Sequence, residues 1–302
     1  MSLRSLQQRP AGRELVRFCL QRVRYLRDED GEEYVQLDVE DFSGTAKLRV
    51  EFDWDRWALN RPDNGALFES TVSHRFLDGR LWLEGRTAEP LMENEMYRLG
   101  PALFPRSGVP EPVQPALDEL VEIFNRIEPE CVRMFLGRVF TDPHIAGRFM
   151  RSRASANHHH NYKGGLLEHS VGVAQVSIDL SHEVDPELRD IITAGALMHD
   201  IGKIETVGEG PSRPMLGRWV QHEALTLEIL APHLGWLDAQ WPKGGALLRN
   251  CLTWYAVKPP GFSSFVGADI IRAADQINVA MAMGKGTGEH RFDAFRSCRS
   301  AF

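Results

Sequence analysis

Five side chains in the later part of the chain are of types that bind divalent metal ions: His169, the adjacent pair His199 and Asp200, His222 and Asp275. Imidazole nitrogens combined with carboxylate oxygens suit Mn, Fe, Co, Ni or Zn, and with fewer histidines Mg. An ion held by such a set lowers the pKa of a bound water, giving a nucleophile at neutral pH, and polarises a phosphoryl oxygen. The chemistry to expect is hydrolysis of a phosphate ester. Asp200 would hold the ion, and Lys203, one turn further on, is placed to offset charge on a non-bridging phosphate oxygen.

The surroundings of these residues bear on that reading. His169 follows Gly164-Gly165-Leu166-Leu167-Glu168 and lies one turn before Val173, on the inward side of a helix running on to Val176. A histidine so placed serves equally as a core residue. The string Ala194-Gly195-Ala196-Leu197-Met198-His199-Asp200-Ile201-Gly202-Lys203 ends an apolar helix on adjacent His and Asp. Burying both without partners costs several kcal/mol, on the order expected for unpaired polar groups. A divalent ion removes that cost, and the small residues Ala194, Gly195 and Ala196 let a neighbouring helix approach. His222 opens a further amphipathic helix. Asp275 sits among Ile270, Ile271, Ala273, Ala274 and Ile277, where a metal or a buried arginine would partner it.

The elements around these residues change character along the chain. Residues 13 to about 90 read as short strands. Val35, Leu37 and Val39 alternate onto one face, as do Ala46, Leu48, Val50 and Phe52, and Asp28–Gly31, Phe42–Gly44 and Leu77–Arg80 mark turns. Such a pattern indicates a small barrel or sandwich. Residues 100–115 hold five prolines and no periodicity, so 99–115 reads as a linker. From 116 the spacing is helical, with Leu117, Leu120, Val121 and Phe124 on one face and Val132, Phe135, Leu136 and Val139 on the next. Further helices are expected over 166–182, 187–201, 220–234, 244–256 and 266–283. The expected fold class is α+β with two domains: a small β-barrel over 1–98 and an all-α domain over 116–302.

Composition is that of a globular protein, with 43% hydrophobic and 25% charged residues, which excludes disordered and fibrous classes. The net charge of -7 argues against sequence-independent binding of nucleic acid over a large surface and leaves room for a local basic groove. Arginines crowd two places, from Arg4 to Arg27 and from Arg133 to Arg153. They read as solvated faces or as basic patches. Cys19, Cys131, Cys251 and Cys298 are scattered without CxxC spacing and read as reduced thiols of a cytoplasmic protein. The N-terminus shows no apolar stretch behind its charges, so no signal peptide is expected. No run of 18 apolar residues suggests a membrane span, and the oligomeric state is left open.

The order H, HD, H, D across helices resembles the HD phosphohydrolase superfamily. The longer strings HHHNYKGGLLEHS and AGALMHDIGK, with FTDPHIAGRFM before them, are similar to the YhaM-type 3′-5′ exoribonucleases, which pair an OB-fold with a helical HD domain. GGLLEHS also resembles the HD-like domain of TraI-type proteins from conjugative elements. The resemblance implies His169 as first metal ligand, His199 and Asp200 as the central pair, His222 as the next histidine, with Thr226 and Ile229 following, and Asp275 as the closing aspartate. It implies a metal-dependent exonuclease on single-stranded RNA, and DNA as a further substrate, with Mn as the first choice of ion. Small nucleotides as substrates, or a catalytically degenerate adaptor, are the alternatives.

One departure bears on ion number. The family's histidine pair before the last aspartate is replaced here by Trp254 and Tyr255, in Cys251–Ala256. One or two ions are therefore both open, with His158, His159, His160 and His290 as substitutes. His159 and His160 are also candidates for contacting phosphate or the leaving group. An OB-type domain implies a basic groove with aromatic platforms for single strands. Candidates are Trp54, Phe76 and Trp82 with Arg49, Arg75 and Arg80, joined by Arg151 and Arg153; Phe42, Trp57 and Arg24 belong to the wider set. In Arg80-Leu81-Trp82-Leu83, either Trp82 or the two leucines must face out.

Overall fold

A strand with one apolar face must turn that face against others, and residues 13–90 do so by closing a ring. The computed structural model describes residues 1–51, 65–77, 79–156, 160–253 and 265–284. The ring contains β1 (Arg13–Arg27), β2 (Glu33–Asp41), β3 (Gly44–Glu51), β4 (Leu67–Leu77) and β5 (Arg80–Gly85). Pairing runs β1-β2-β3-β5-β4 and returns to β1; β6 (Glu89–Pro90) joins β4 at its edge. All pairs are antiparallel except β3 with β5. One long strand serves two sides: Arg13 to Cys19 pair with β4, and Cys19 to Arg27 with β2. The register shifts between Leu20 and Arg22, a bulge of the kind that bends a strand around a barrel-like ring.

The alternation read from the sequence fills this ring. Val16, Phe18, Leu20, Val35, Leu37, Val39, Leu48, Val50, Val72, Leu81 and Leu83 are buried together, and Leu3 and Leu6 of α1 (Leu3–Leu6) close the cluster. The two leucines of β5 point inward, so Trp82 stands on the outer face. Gly31 and Gly79, at φ 84° and 73°, occupy left-handed backbone in two of the expected turns, where a side chain would be strained.

Contacts divide the chain into two compact units, 1–147 and 148–302. The first also holds α2 (Glu93–Leu99), α3 (Gln114–Arg126) and α4 (Glu130–Thr141). The Pro-rich stretch between α2 and α3 is folded into three 3-10 turns, Gly100–Leu103, Arg106–Gly108 and Glu111–Val113. Pro101, Pro112 and Pro115 start turns or the following helix, where their missing N–H has no consequence. Leu103, Val109 and Val113 are buried between them. Ser107 N and Oγ donate to the Glu40 carboxylate at 2.6 Å each, and Arg106 forks onto Asp118 at 2.7 and 3.2 Å.

α5 (Ala146–Arg151) leads into the second unit, which is built from α6 (Gly165–Leu180), α7 (Pro186–Met198), α8 (Lys203–Thr206), α9 (His222–Gln240), α10 (Pro242–Leu252) and α11 (Val266–Gly284). α7 starts on Asp185, whose side chain accepts Glu187 N–H, with Pro186 at the first helical position. α6 packs on α7 and α11, and α7 on α10 and α11. Gly195 permits this: a Cβ there would lie 2.7 Å from Cys251 Cβ and 2.9 Å from Ile271 Cδ1.

Candidate metal centre

The apolar face of α6 carries His169 into the interior, and the end of α7 delivers His199 and Asp200 to the same place. All three are buried, at 0%, 3% and 4% exposure. Their ligand atoms lie within 4.8 Å of one another. Asp200 Oδ2 is 3.1 Å from His169 Nε2 and 3.3 Å from His199 Nε2; its Oδ1 is 2.9 Å from His222 Nε2. Asp275 Oδ1 stands 3.3 Å from His169 Nε2. Lys203, one turn on from Asp200, pairs with Asp200 Oδ2. The structure thus brings all five residues singled out above, and Lys203, to one point.

Each central imidazole is held by its far nitrogen. His199 Nδ1–H donates to Ala196 O at 2.7 Å, and His169 Nδ1–H to Asn278 Oδ1 at 3.0 Å. In the neutral form that a cation requires, both rings would therefore turn a bare Nε2 toward the carboxylates. His199 Nε2 is buried and faces Asp200 Oδ2 at 3.3 Å. Two imidazole nitrogens and buried carboxylate oxygens, so aimed, fit a divalent ion. Asn278 and Asp275 are three residues apart on α11 and touch opposite edges of the His169 ring. Opposite them, Gly172, three residues after His169, leaves the necessary space, since a Cβ there would lie 2.2 Å from Asn278 Nδ2.

The second half of the set depends on another glycine. A Cβ on Gly202 would lie 1.9 Å from His222 O, so only glycine lets the HD segment touch the start of α9. Thr226 locks the contact: its Oγ1 accepts Gly202 N–H at 3.2 Å and lies 3.1 Å from His222 O and 3.3 Å from His199 O.

Without an ion, the groups balance one another. Burial works against a charged His169, but hydrogen bonds to Asp200 and Asp275 outweigh it and push its pKa up to about 9. Burial also opposes ionisation of Asp200, yet His199 and Lys203 beside it, and hydrogen bonds from His169 and His199, hold the carboxyl well below the usual range. Asp275 is lowered as well, its burial outweighed by the hydrogen bond from His169.

His160 reaches the edge of this cluster. Its ring centroid is 5.7 Å from that of His169, and its Nδ1 is 2.9 Å from Tyr162 Oη, which donates to Glu168. His158, His159, Trp254, Tyr255 and His290 lie outside the described residues, as do Trp54 and Trp57. Arg151 pairs with Glu209 at 3.1 Å. Arg153 is buried, donating to Asn161 Oδ1 and Val207 O within its own unit.

The outer face of the β-ring carries the remaining candidates. Trp82 on β5 is in register with Lys47 on β3 and Arg75 on β4. Lys47 Nζ sits 5.4 Å from the Trp82 ring centre, and the Arg49 guanidinium 4.2 Å from that of Tyr34. Arg49 also pairs with Asp28, and Arg75 with Glu84. Phe76 and Arg80 are exposed. Sequence reasoning missed Tyr34, Lys47 and Asn278. Only Asn278 left a usable signal, its i+3 spacing from Asp275 on one helix face.

Residues 166–242 match the family model for the HD domain. The chain is 26% identical over 272 residues to the 3′-5′ exoribonuclease YhaM of Bacillus subtilis (strain 168), covering 84% of this chain and 81% of that one. It is 24% identical over 285 residues to the protein of the same name from Bacillus pumilus, covering 86% and 83%. A shorter stretch of 55 residues is 42% identical to the dihydroneopterin 2′,3′-cyclic phosphate phosphodiesterase of Methanocaldococcus jannaschii, covering 17% and 22%. A solved replication protein A heterotrimer bound to ssDNA aligns with 28% of this chain and 61% of its own at 14% identity and a TM-score of 0.22, too low to support an argument.

Proposed function

We propose that this chain, an HD-superfamily hydrolase similar over most of its length to the YhaM-type exoribonucleases, is a metal-dependent exonuclease that shortens single-stranded RNA from its 3′ end. The observation that carries the reading is the pair of buried imidazoles whose far nitrogens are tied down while both Nε2 atoms face Asp200. His169, His199 and Asp200 would hold a divalent ion, Mn in this reading, with His222 and Asp275 completing the set. Bound there, the ion supplies positive charge for phosphate oxygens and an acidified water. Lys203 would leave Asp200 to meet a non-bridging phosphate oxygen, and His160, with His159, would contact the leaving side. The β-ring would act as an OB-like grip. Its strand order fits, and Tyr34 and Trp82 offer stacking faces flanked by Lys47, Arg49, Arg75 and Arg80. Cysteines as scattered as Cys19, Cys131 and Cys251, without CxxC spacing, suit a cytoplasmic setting. No helix among the described residues is long and apolar enough to cross a membrane.

A second reading, hydrolysis of small or cyclic nucleotides, is favoured by the local likeness to the archaeal phosphodiesterase. The two separate in one assay. The full chain with Mn is given 5′-labelled single-stranded RNA and, in parallel, 2′,3′-cyclic nucleotides. A ladder of 3′-shortened products, lost with chelator and reduced at least about a thousandfold in Asp200→Ala, is the expected result. Turnover of the small substrates alone would favour the second reading, and turnover of neither with any divalent ion would sink both.

A further inference from the structure

Between α8 and α9 the chain makes a 3-10 turn, Leu216–Arg218, that is fixed rather than loose. Arg218 N donates to Met215 O, and Trp219 N and Val220 N both donate to Leu216 O, at 2.9–3.0 Å. Gly217 is buried against the end of α8: a Cβ there would lie 2.0 Å from Thr206 O. Pinned at its centre, the turn presents its apolar residues outward. Met215 is 78% exposed, Leu216 41% and Trp219 84%, the last being the most exposed large hydrophobic among the described residues. Tryptophan leaves about 150–250 Å² unburied in such a position, area that a fold ordinarily removes from water.

Place and charge narrow what this turn meets. Trp219 precedes His222 by three residues, so their backbones are at most about 11 Å apart, and His222 Nε2 is 2.9 Å from Asp200 Oδ1. Residues 210–221 carry Arg213 and Arg218 and no acidic residue, in a chain of net charge -7. A flat, exposed apolar ring next in the chain to the exposed Arg218, beside a phosphate-directed centre, matches a nucleic-acid strand: base on ring, phosphate on arginine.

We infer that Trp219 is a stacking platform for a base of the single strand whose phosphodiester is presented to the His169–Asp200 centre. The inference rests on the exonuclease reading and deepens it by assigning a base contact within the helical unit. Arg218 serves the adjoining phosphate, and the Gly217 anchor keeps the ring from folding back.

The test is binding of a 5′-fluorescein-labelled oligoadenylate to the full chain in EDTA, where no turnover interferes, read by anisotropy at one fixed salt concentration. Trp219→Ala is expected to weaken binding about tenfold, and Trp219→Phe, which keeps a stacking face, to retain most of it. Equal affinity of wild type and Trp219→Ala overturns the inference, as does failure of the wild type to bind. Light scattering supplies the competing outcome. A wild-type oligomer that dissociates in Trp219→Ala, with strand binding unchanged, makes the turn a contact between copies of the chain and overturns it too. Hydrolysis with Mn is scored separately. Trp219-dependent binding with no 3′ shortening leaves the platform standing and removes the exonuclease reading. Shortening with Trp219-independent binding does the reverse.

Discussion

Asp41 in the β-ring unit and Asp200 in the helical unit are both buried carboxylates, at 2% and 4% exposure, and they are kept in opposite ways. Asp41 is met by neutral donors: Leu3 N at 2.7 Å, Ser43 N at 2.7 Å, Ser43 Oγ at 2.6 Å and Gly44 N at 3.1 Å. Burial prevails there and pushes its pKa up. Asp200 is met by three imidazoles and a lysine, and its pKa is driven down. The first arrangement closes a turn and docks α1. The second keeps a negative charge inside the protein with basic groups around it that a cation would replace. Burial of an acid therefore does not mark a site; the chemistry of its neighbours does. Other charges on the ring pair with one another, as Arg24 with Asp38 and Arg75 with Glu84, both at 2.8 Å.

The strongest challenge to this contrast is Asn278→Ala. It touches no metal-ligating atom, but it removes the acceptor that holds the proton on His169 Nδ1. Metal affinity measured by calorimetry should fall about ten- to a hundredfold, the usual effect of losing an outer hydrogen bond to a ligand. An unchanged affinity would mean that the His169 ring is held by packing alone.

The next effect is set by pH. With His169 raised from 6.5 to about 9, its pairing with Asp200 and Asp275 stabilises the metal-free fold fully below pH 6.5. That contribution is lost as pH rises through 9. A divalent ion needs the neutral ring, so apparent metal affinity should climb about tenfold per pH unit toward pH 9, with release of a proton. Thermal melts of metal-free protein and metal titrations between pH 6.5 and 8.5 should thus move in opposite directions. Parallel movement would contradict the assignment of His169.

The smallest effect belongs to the ring surface. Arg75→Ala breaks a pair whose side chains are 64% and 50% exposed, so unfolding free energy should change by less than about 1 kcal/mol in a denaturant titration, with metal affinity untouched. A larger loss would show that the ring's outer charges hold the fold together.

What the sequence disclosed follows from periodicity and from misplaced polarity. Val35, Leu37 and Val39 announce a strand by period two, and His199 with Asp200 stand out because they end an apolar helix. Features without either signature stayed hidden. Asn278 is an amide in a helix whose partner lies 109 residues away. α2 buries no residue, so it shows no apolar stripe. In the Pro-rich stretch Leu103, Val109 and Val113 are buried one at a time, and single apolar residues form no pattern even where they fix a turn. Trp219 carries the reverse difficulty, since tryptophan in a sequence suggests a core residue and this one is outside.

Position 202 carries a consequence for how such a chain could change over generations. Every ligand can persist through sequence drift while one methyl group, added by an alanine there, meets the His222 carbonyl oxygen 1.9 Å away and prises the two halves of the centre apart. Descendants could in that way inherit the whole set of histidines and aspartates as relics, so an inventory of ligands is an incomplete test of whether a copy of this gene still encodes a working centre; the residue to inspect first is the one with no side chain.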